Sequence, residues 1–577
     1  MEPAKLMSKR LNIGVVANPD VVLAYESAML ETLLALPEID CQLLTSPQTD
    51  ISRENISTKL SNWGYRFYEK MDNTVLGIGD DPFLKQPLNA SLAFNHPTET
   101  RRFDFIIALS SQVEFAKTQL KLTEFGVLYL DCINADGQSL SPPGYWDVME
   151  FTTDSIIAVH LISPEGKCQK IYQSHSATTE VSPRQNRERI FWKAKSFIPK
   201  ILAQLNYHSI EQSIQKLIDK QISDNEFTCL NPQLAENNYE QGNLEWNDAS
   251  HTNGAMALQT AIAEITDSPV ADSIKGIPKN ITLIKHLFKK IPGFFRFYLQ
   301  TKLNWDQWFL LFQFSAAPNT DISSFTPIYP PKDRIWADPH IFIKDGKNYV
   351  FIEEMILKDD KGFISVFEIH ADGFYSTPVK ILEEDFHLSY PQVFEWQNQI
   401  WMIPESSQNK TVSLYRCTEF PNQWEKHCDL LEGIDAVDTS ILFDQDKCWL
   451  FCTVRPHPDA SENDELHIYS STQLVSSEWI AHPQNPVVSD VRRARPAGKI
   501  YRQYDRLIRP SQNCSKIYGY GFNLNAISVL SENDYQEEPI TCINADQLKG
   551  IIGVHTYSRE NELTVVDACR RYSKLSY

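Results

Sequence analysis

The chain has 577 residues, a formal net charge of −20 and an apolar content of 42%, values typical of a soluble globular protein of about three to four domains. The acidic balance argues against nucleic-acid binding, because a phosphate-binding groove needs a basic face. No apolar run approaches the ~20 residues of a membrane span, and the N-terminus does not resemble a signal peptide. Eleven scattered cysteines without a CxxC pair indicate reduced thiols and a cytoplasmic location, and they do not support a zinc site.

Strand and helix patterns alternate in the first region, residues 1–205. Short buried strands are predicted at "LNIGVVA", "CQLLTS", "FDFIIALS" and "FGVLYLDC", and a helix at "VLAYESAMLETLLAL". This alternation predicts a mostly parallel sheet with helices on both faces. Ligands of such sheets bind at the carboxyl ends of the strands. The segment to inspect is therefore "DCINADGQSLSPPGYWDVME", which begins at Asp131.

The second region, residues 206–303, is predicted to be helical and to contain a linker. "SIEQSIQKLIDKQI" is an amphipathic helix, and residues 223–252 form a polar stretch with little periodicity. The segment 281–303, "ITLIKHLFKKIPGFFRFYLQTKL", mixes basic and aromatic residues. Two interpretations stay open for it. It docks one domain on the other, or it makes a peripheral contact with an anionic membrane, a glycolipid or a partner.

The third region, residues 304–577, is nearly all strand and repeats itself. Tyr415 and Tyr469 are 54 residues apart, and Trp424 and Trp479 are 55 apart. Periods near 50 residues built from about four strands are typical of propeller blades. The fifth repeat reaches the C-terminus with two strands, so the ring needs strands from elsewhere. The segments "WDQWFLLFQF" and "FTPIYP" before the first blade are the natural donors, and the sequence predicts a five-bladed β-propeller closed by them.

Unlike polar residues occupy corresponding positions where the innermost strands begin. Because these strands converge on the propeller axis, their side chains are expected to line one pocket. The candidate catalytic residues are Asp338, Asp438 and Glu405; the candidate binding residues are Trp336, His340, Tyr390, Arg493, Arg495, Arg509, Gln512 and His555. A structural alternative stays open for each of them, since Asp before Pro starts turns well and Arg493 has Asp490 as a possible ion-pair partner.

This set of residues suits a sugar or a sugar phosphate. Paired carboxylates can act as acid and base at a glycosidic carbon, and arginine binds phosphate or carboxylate groups through two hydrogen bonds. In an enzymatic version Asp338 is the base or nucleophile, and Asp438 or Glu405 is the acid. The three arginines would then bind an anionic part of the substrate. No metal or cofactor is predicted for this pocket.

The third region also resembles known propeller families. An Asp-Pro on the first blade, here Asp338-Pro339, is similar to the motif of the furanosidases, in which that Asp is the base or nucleophile. Ser389-Tyr390 stands where those families usually carry a second Asp. The motifs "WADPH", "SYPQVF", "MIPES", "RPAGKIY" and "LIRPSQNCSKIYGYG" resemble more closely the N-terminal propeller of the glucosamine inositolphosphorylceramide transferase family and its bacterial relatives.

The first region resembles the formyltransferase fold that is fused to this propeller in bacteria. "PPGYWDVME", which includes Gly144, and "RQNRERIFWK" carry the resemblance. The fused relatives show a His-His-Gly-Asp segment before the PPG motif, whereas this chain reads "LDCINADGQSLSPPG" without a histidine. We therefore expect a degenerate active site, and we expect His160, inside an apolar strand, to be a core residue.

Three functions remain open from the sequence. The leading one is a carbohydrate-active or carbohydrate-binding protein in bacterial glycoconjugate or glycolipid metabolism, acting by glycosyl transfer or processing in the propeller pocket. The second is a non-catalytic module that recognises a sugar or nucleotide sugar, with the first domain as a scaffold. The third is an N-formyltransferase acting on an amino sugar with a folate cofactor. The sequence does not define the oligomeric state.

Overall fold

A computed structural model gives the structure of the chain. It describes residues 10–45, 62–75, 79–94, 102–225 and 274–574, except for positions 19, 90, 91, 93, 111, 180, 206–208 and 477. The predicted polar linker at 223–252 lies almost entirely outside the described residues. The chain divides into two compact units: residues 1–227, 243–291 and 457–460 form the first, and residues 228–242, 292–456 and 461–577 form the second.

The first unit is built on a six-stranded sheet in the order β3-β1-β5-β6-β7-β8. Its strands are β1 (Leu11–Ala17), β2 (Val22–Leu23), β3 (Ile39–Thr45), β4 (Lys85–Gln86), β5 (Phe103–Ala108), β6 (Thr123–Ile133), β7 (Asp154–Ile162) and β8 (Cys168–Ala177), of which β2 and β4 form a separate pair. β3, β1, β5 and β6 pair in parallel, while β7 is antiparallel to both of its neighbours. The sheet is thus mostly parallel, and it ends in an antiparallel hairpin that the sequence pattern did not indicate.

Among the described residues, seven helices accompany this sheet, and an eighth begins in the same unit. Their bounds are α1 (Ala24–Leu34), α2 (Trp63–Val75), α3 (Val113–Thr118), α4 (Tyr145–Glu150), α5 (Pro183–Ala194), α6 (Phe197–Gln204), α7 (Ile210–Asn225) and α8 (Asn280–Leu303). The core contains side chains from the sheet and from α1, α5 and α6, among them Ile13, Leu30, Phe105 and Ile190, all at most 1% exposed. Burying such apolar side chains contributes about 1.5–3 kcal/mol each.

The described residues of the second unit form five antiparallel sheets, four of which follow one another along the chain. Blade 1 contains β11 (Arg334–Lys344), β12 (Lys347–Ile356), β13 (Gly362–Ile369) and β14 (Val379–Leu382); blade 2 contains β15 (Ser389–Trp396), β16 (Gln399–Glu405), β17 (Thr411–Glu419) and β18 (Gln423–Glu432). Blade 3 contains β19 (Ala436–Asp444), β20 (Lys447–Val454), β21 (Glu465–Ser471), β22 (Ile480–Ala481) and β23 (Val488–Ser489); blade 4 contains β24 (Tyr501–Gln503), β25 (Arg506–Asn513), β26 (Gly521–Leu530) and β27 (Tyr535–Asn544). Five sheets at this repeat confirm the predicted five-bladed propeller.

Blade 5 is assembled from both ends of the propeller region. β9 (Asn304–Phe314) and β10 (Thr326–Ile328) join β28 (Ile551–Gly553), β29 (Tyr557–Glu560) and β30 (Leu563–Ser573) in one sheet. β9 pairs with β30 over eleven residue pairs, from Leu563–Phe314 to Ser573–Asn304. The two segments predicted as strand donors are therefore the ones that complete the ring.

Candidate functional site on the propeller axis

The same unusual backbone conformation recurs in the first half of three innermost strands. Asp338, Tyr390 and Asp438 have φ angles of 50°, 46° and 50°, in the left-handed region that non-glycine residues rarely adopt. Each lies at a register shift in the pairing of the first two strands of its blade. A β-bulge of this kind redirects a side chain, and the strained conformation costs about 1–3 kcal/mol per residue. The repeated cost indicates that the placement of these two aspartates and one tyrosine serves a function.

The first group of charges surrounds Asp438. Its Oδ2 atom lies 2.6 Å from Nε of Arg495 and accepts a hydrogen bond of 2.7 Å from the side-chain amide of Gln512. The Asp438 backbone N–H donates to Oε2 of Glu405 at 3.3 Å, and Nη2 of Arg495 is 3.8 Å from the same oxygen. One guanidinium thus faces two carboxyl groups. Burial, followed by the negative charge of Asp438, raises the pKa of Glu405 well above its usual range.

The second group surrounds His555, whose ring lies between two carboxylates. Nδ1 is 2.7 Å from Asp567 and Nε2 is 3.5 Å from Asp338. Asp338 also accepts from the hydroxyl of Thr556 at 2.8 Å and from the backbone N–H of Tyr390 at 3.3 Å. Burial alone lowers the pKa of His555, but Asp567 and Asp338 outweigh it and raise that pKa to about 9. Burial raises the pKa of Asp338 to about 7, against the opposing effect of His555.

The donor atoms of Asp338, His555 and Asp567 lie within 4.8 Å of one another, a spacing that could hold a metal ion. However, both ring nitrogens of His555 face a carboxylate, and a histidine ligand must be neutral to bind a metal. The raised pKa of His555 favours a proton in this place. The chemistry of these donors therefore fits an imidazolium between two carboxylates better than it fits a cation site.

Aromatic rings cover the two charge groups. Trp308 on β9 stacks on His555 with ring centroids 4.1 Å apart, and Tyr518 meets the same ring edge-on at 5.3 Å. The guanidinium of Arg495 lies 5.0 Å from the centroid of Tyr518. Tyr518 contacts a member of each group and is itself 46% exposed, so one partly exposed ring links the two buried groups. We call this arrangement the axial cup.

A glycine allows the loop that carries Tyr518 to pack closely. Gly519 has a φ of 65°, and a Cβ atom at this position would lie 2.8 Å from Cη2 of Trp308 and 3.2 Å from Cβ of His555. Any larger residue would therefore meet two side chains of the cup in addition to the strain of a positive φ. The close approach holds the loop against Trp308, and with it the neighbouring Tyr518.

The structure brings seven of the residues predicted from the sequence together in the axial cup: Asp338, Tyr390, Glu405, Asp438, Arg495, Gln512 and His555. His340 lies beneath it, edge-on to Tyr390 at 4.6 Å, and burial lowers its pKa to about 3. A neutral, buried imidazole in this place supports the cup by packing against Tyr390.

Three other predicted binding residues lie elsewhere. Trp336 is 5% exposed and packs into the apolar core near Phe367. Arg493 is buried with Nε 3.6 Å from Asp490, the pairing that the sequence left open. Arg509 forms two hydrogen bonds with Glu537, at 2.7 and 2.6 Å, inside blade 4. Of the three arginines expected to bind an anion, only Arg495 lies at the axis.

Several residues of the axial cup were not identified from the sequence. Asp567 lies in "LTVVDACR", and a carboxylate within an otherwise apolar strand is a signal that could have revealed it. Trp308 was interpreted only as part of a ring-closing strand. Asn463, which accepts from Nη1 of Arg495 at 2.8 Å, and Glu462, 3.7 Å from the same nitrogen, follow β20 in a polar loop without any recognisable pattern.

A histidine–glutamate contact near the axis was also missed. Nε2 of His387 lies 3.2 Å from Oε1 of Glu353, and Nδ1 accepts from the backbone N–H of Gly362 at 3.0 Å. His387 lies just before β15, and Glu353 lies within β12. The backbone donor fixes the ring so that Nε2 carries the proton toward Glu353.

In the first unit, the segment after β6 is covered by the chain itself. Asp131 accepts a hydrogen bond from Ser139 at 3.0 Å, and burial raises its pKa to about 6. Lys275 pairs with the backbone of Ser139 and Ser141 at 2.9 Å each. Its side chain lies over the ring of Trp146 and contacts Glu150 at 2.5 Å. The loop that leads to Gly144 is thus bridged by residues around Lys275.

His160, for which a core role was expected, lies inside the sheet of the first unit. It is 2% exposed and stacks on Tyr129 with ring centroids 5.1 Å apart. Burial lowers its pKa to about 4. A neutral histidine packed in this way is suited to supporting the sheet.

Comparisons with known proteins concern the propeller. Residues 322–567 match the family model of the N-terminal region of glucosamine inositolphosphorylceramide transferase 1. The protein of that name from Oryza sativa subsp. indica is 32% identical over 218 residues, which are 37% of this chain and 29% of the relative. The one from Arabidopsis thaliana is 31% identical over 224 residues, 38% of this chain and 29% of the relative. The chain therefore spans less than a third of the length of the curated relatives that it matches.

Two solved structures are also similar to the chain. A β-xylosidase/α-arabinofuranosidase from a compost microbial metagenome, in complex with xylotriose, has a TM-score of 0.33 and 12% identity, covering 41% of this chain and 90% of its own. An α-L-arabinanase from Cellvibrio cellulosa, in complex with arabinohexaose, has a TM-score of 0.28 and 13% identity, covering 35% and 77%.

Proposed function

We propose that the propeller binds the sugar part of a glycoconjugate in the axial cup, and that the chain acts in bacterial glycoconjugate or glycolipid metabolism. The observation that carries this proposal is the combination of buried charge pairs with a half-exposed ring, Tyr518, beside Arg495. Sugars present hydroxyl groups, which need fixed donors and acceptors, and apolar C–H faces, which pack on aromatic rings. The axial cup offers both kinds of contact.

The relatives support a carbohydrate ligand. The matched plant proteins are named glucosamine inositolphosphorylceramide transferase 1, a name that contains an amino sugar, and the match covers the propeller. The two similar solved structures are named as complexes with xylotriose and arabinohexaose. A sugar or sugar phosphate is accordingly the ligand class that we propose.

The geometry favours recognition over hydrolysis. A nucleophile or base needs a carboxylate that is free to meet the substrate, whereas Asp438 is already bound by Arg495 and Gln512. Asp338 is likewise bound by Thr556 and faces His555. Both carboxylates are at most 3% exposed. Their role in our proposal is to fix the cation and imidazolium that contact the sugar.

One observation keeps glycosyl transfer or processing as a second candidate. Burial and the negative charge of Asp438 raise the pKa of Glu405, which is the direction of shift that a general acid at a glycosidic oxygen requires. Asp338 would serve as base or nucleophile and Asp438 would hold Arg495 in place. Turnover of aryl glycosides that is lost in Glu405→Gln, with sugar affinity preserved, would favour this version.

The binding proposal is tested by isothermal titration calorimetry with a panel of monosaccharides, sugar phosphates and nucleotide sugars. At least one is expected to bind the wild type and to lose more than tenfold in affinity in Asp438→Asn. The matched control is Asp444→Asn, which alters an Asp–Arg pair with Arg502 at the other end of the same strand and should leave the affinity unchanged. Absence of binding across the panel, or equal loss in both variants, would reject the axial cup as the sugar site.

For the first unit we propose a formyltransferase-like scaffold without formyl-transfer activity. The bridge from Lys275 to Ser139 and Ser141, over the loop that would border the cleft, supports this reading. An N-formyltransferase acting on an amino sugar with a folate cofactor is the alternative, and formylation of an amino-sugar nucleotide by the purified chain would establish it. The ten described cysteines are all free, which supports the proposed cytoplasmic location.

A further inference from the structure

An apolar stripe faces outward on the first part of helix α8. Ile281, Ile284 and Phe288 expose 64%, 51% and 69% of their surface, and their spacing of three and four residues places them on one face of the helix. Leu283 is buried against the core of the first unit. The helix is therefore apolar on the side that packs and also on the side that faces solvent.

Helix α2 carries a second exposed stripe and adjoins α8. Trp63, Phe67 and Met71 are 60%, 59% and 50% exposed at a spacing of four residues. The two helices meet near their N-termini, where the backbone N–H of Gly64 donates to Oδ1 of Asn280 at 3.0 Å. The six exposed side chains form what we call the two-helix surface: Trp63, Phe67, Met71, Ile281, Ile284 and Phe288.

Helix α8 and the residues just before it bring positive charge to the two-helix surface in an otherwise acidic chain. Residues 274–290 contain five Lys and no Asp or Glu, whereas the whole chain has a net charge of −20. Lys279, Lys285 and Lys289 on this segment are exposed, as are Arg66 and Lys70 on α2. Exposed apolar side chains flanked by basic ones are the pattern of helices that lie in a membrane interface.

We propose that the two-helix surface binds anionic membrane lipids, with its apolar side chains inserted at the interface and its lysines on the headgroups. This proposal is independent of the sugar proposal. No described helix is long and apolar enough to cross a membrane. A second copy of the chain fits less well, because self-association would bring the same lysines against one another and like charges repel.

Vesicle flotation of the full chain tests the proposal. Vesicles of phosphatidylcholine mixed with phosphatidylglycerol should bind the protein, and vesicles of phosphatidylcholine alone should bind it much more weakly. Raising the salt concentration should release it, because the headgroup attraction is screened over roughly a 10 Å Debye length at 0.1 M salt. Equal binding to both kinds of vesicle, or none to either, overturns the proposal.

Variants of the two-helix surface separate its apolar and basic contributions. Ile284→Asp combined with Phe288→Asp should abolish flotation, and Lys285→Gln and Lys289→Gln should each weaken it about fivefold, since each basic residue near the surface contributes about 1 kcal/mol. The matched control is Phe374→Asp, an equally exposed apolar residue on the propeller at 65%, which should float like the wild type.

Two measurements complete the test. Because all the substituted side chains are exposed, circular dichroism should show the same fold in every variant. Light scattering of the lipid-free protein should give one mass for the wild type and for the Ile284→Asp/Phe288→Asp variant. A larger mass that this variant reduces would assign the surface to a second copy, and flotation unchanged in it would assign lipid binding elsewhere; either result overturns the proposal.

Discussion

The Arg509–Glu537 pair inside blade 4 can be compared with the Arg495–Asp438 pair at the axis. Both are at most 6% exposed. Arg509 forms two hydrogen bonds with Glu537 and two more with the carbonyl oxygens of Arg493 and Ala494. Arg495 contacts Asp438 closely and donates to Asn463 at 2.8 Å, but it reaches two further carboxyl groups only at 3.7 and 3.8 Å.

The comparison teaches how a structural ion pair differs from one at a binding site. A buried charge needs hydrogen-bond partners to be tolerated, and Arg509 forms four hydrogen bonds within the blade. Arg495 lies beside the half-exposed Tyr518 and is left with distances that a ligand can shorten. Sequence alone ranked these two arginines equally.

Breaking the blade pair should have the largest effect on stability. Arg509→Met leaves Glu537 buried without a counter-charge, so we expect the free energy of unfolding to fall by about 3–5 kcal/mol. Urea denaturation followed by tryptophan fluorescence measures it. Arg502→Met, which breaks a pair whose arginine is 58% exposed, should cost less than about 1 kcal/mol. Similar losses of stability in both variants would contradict the distinction between a buried and an exposed ion pair.

The imidazolium in the axial cup should make stability depend on pH. His555 has a folded-state pKa of about 9, above an unfolded value near 6.5. Its contribution is therefore complete below about pH 6.5 and is lost as the pH rises through 9. We expect roughly 1–3 kcal/mol of stability to disappear over this interval, as measured by denaturation at a series of pH values. In His555→Gln the free energy of unfolding should fall less over this interval. A fall of the same size as in the wild type would exclude His555 as its source.

Replacing the axial arginine by a shorter cation should affect binding more than stability. Arg495→Lys keeps the charge beside Asp438 but loses the planar fork that also reaches Asn463 and Glu405. We expect about a tenfold loss of sugar affinity by calorimetry, which corresponds to about 1.4 kcal/mol. The unfolding midpoint should stay close to that of the wild type. A large drop in stability with affinity intact would place this arginine with the structural pairs.

The smallest effect is expected at the rim. Tyr518→Ala removes an aromatic contact worth about 1 kcal/mol, so sugar affinity should fall about fivefold without a change in unfolding free energy. Tyr518→Phe keeps the ring and serves as the control, with affinity close to that of the wild type. If alanine and phenylalanine behave alike, the ring does not contact the ligand.

The propeller could be predicted from the sequence, because its strands show alternating patterns and aromatic residues recur at a fixed period. Corresponding positions then identified Asp338, Tyr390, Asp438 and His555, since innermost strands begin at the axis. The same reasoning failed for Arg493 and Arg509. Their positions in the sequence do not show whether each guanidinium lies at the axis, as that of Arg495 does, or inside the blade. The partner Glu537 can be identified only from the three-dimensional structure, because it lies on β27 and Arg509 lies on β25.

Residues on loops and on neighbouring blades were the hardest to identify. Tyr518 and Asn463 reach the axial cup from connections between strands, and connections carry no periodic signal. Trp308 reaches it from β9, which belongs to blade 5 by pairing and not by sequence order. In the first unit, β7 pairs antiparallel to β6, a long-range feature that local patterns do not encode.

The pairing of β9 with β30 has a consequence for folding during synthesis on the ribosome. Residues 304–314 emerge about 250 positions before their partner, residues 563–573, because the intervening four blades must be synthesised first. Until then β9 offers an unpaired, apolar edge of the kind that invites aggregation. Polypeptides that stop short of the last strand should accordingly require a chaperone or precipitate, even though four of their five sheets are complete.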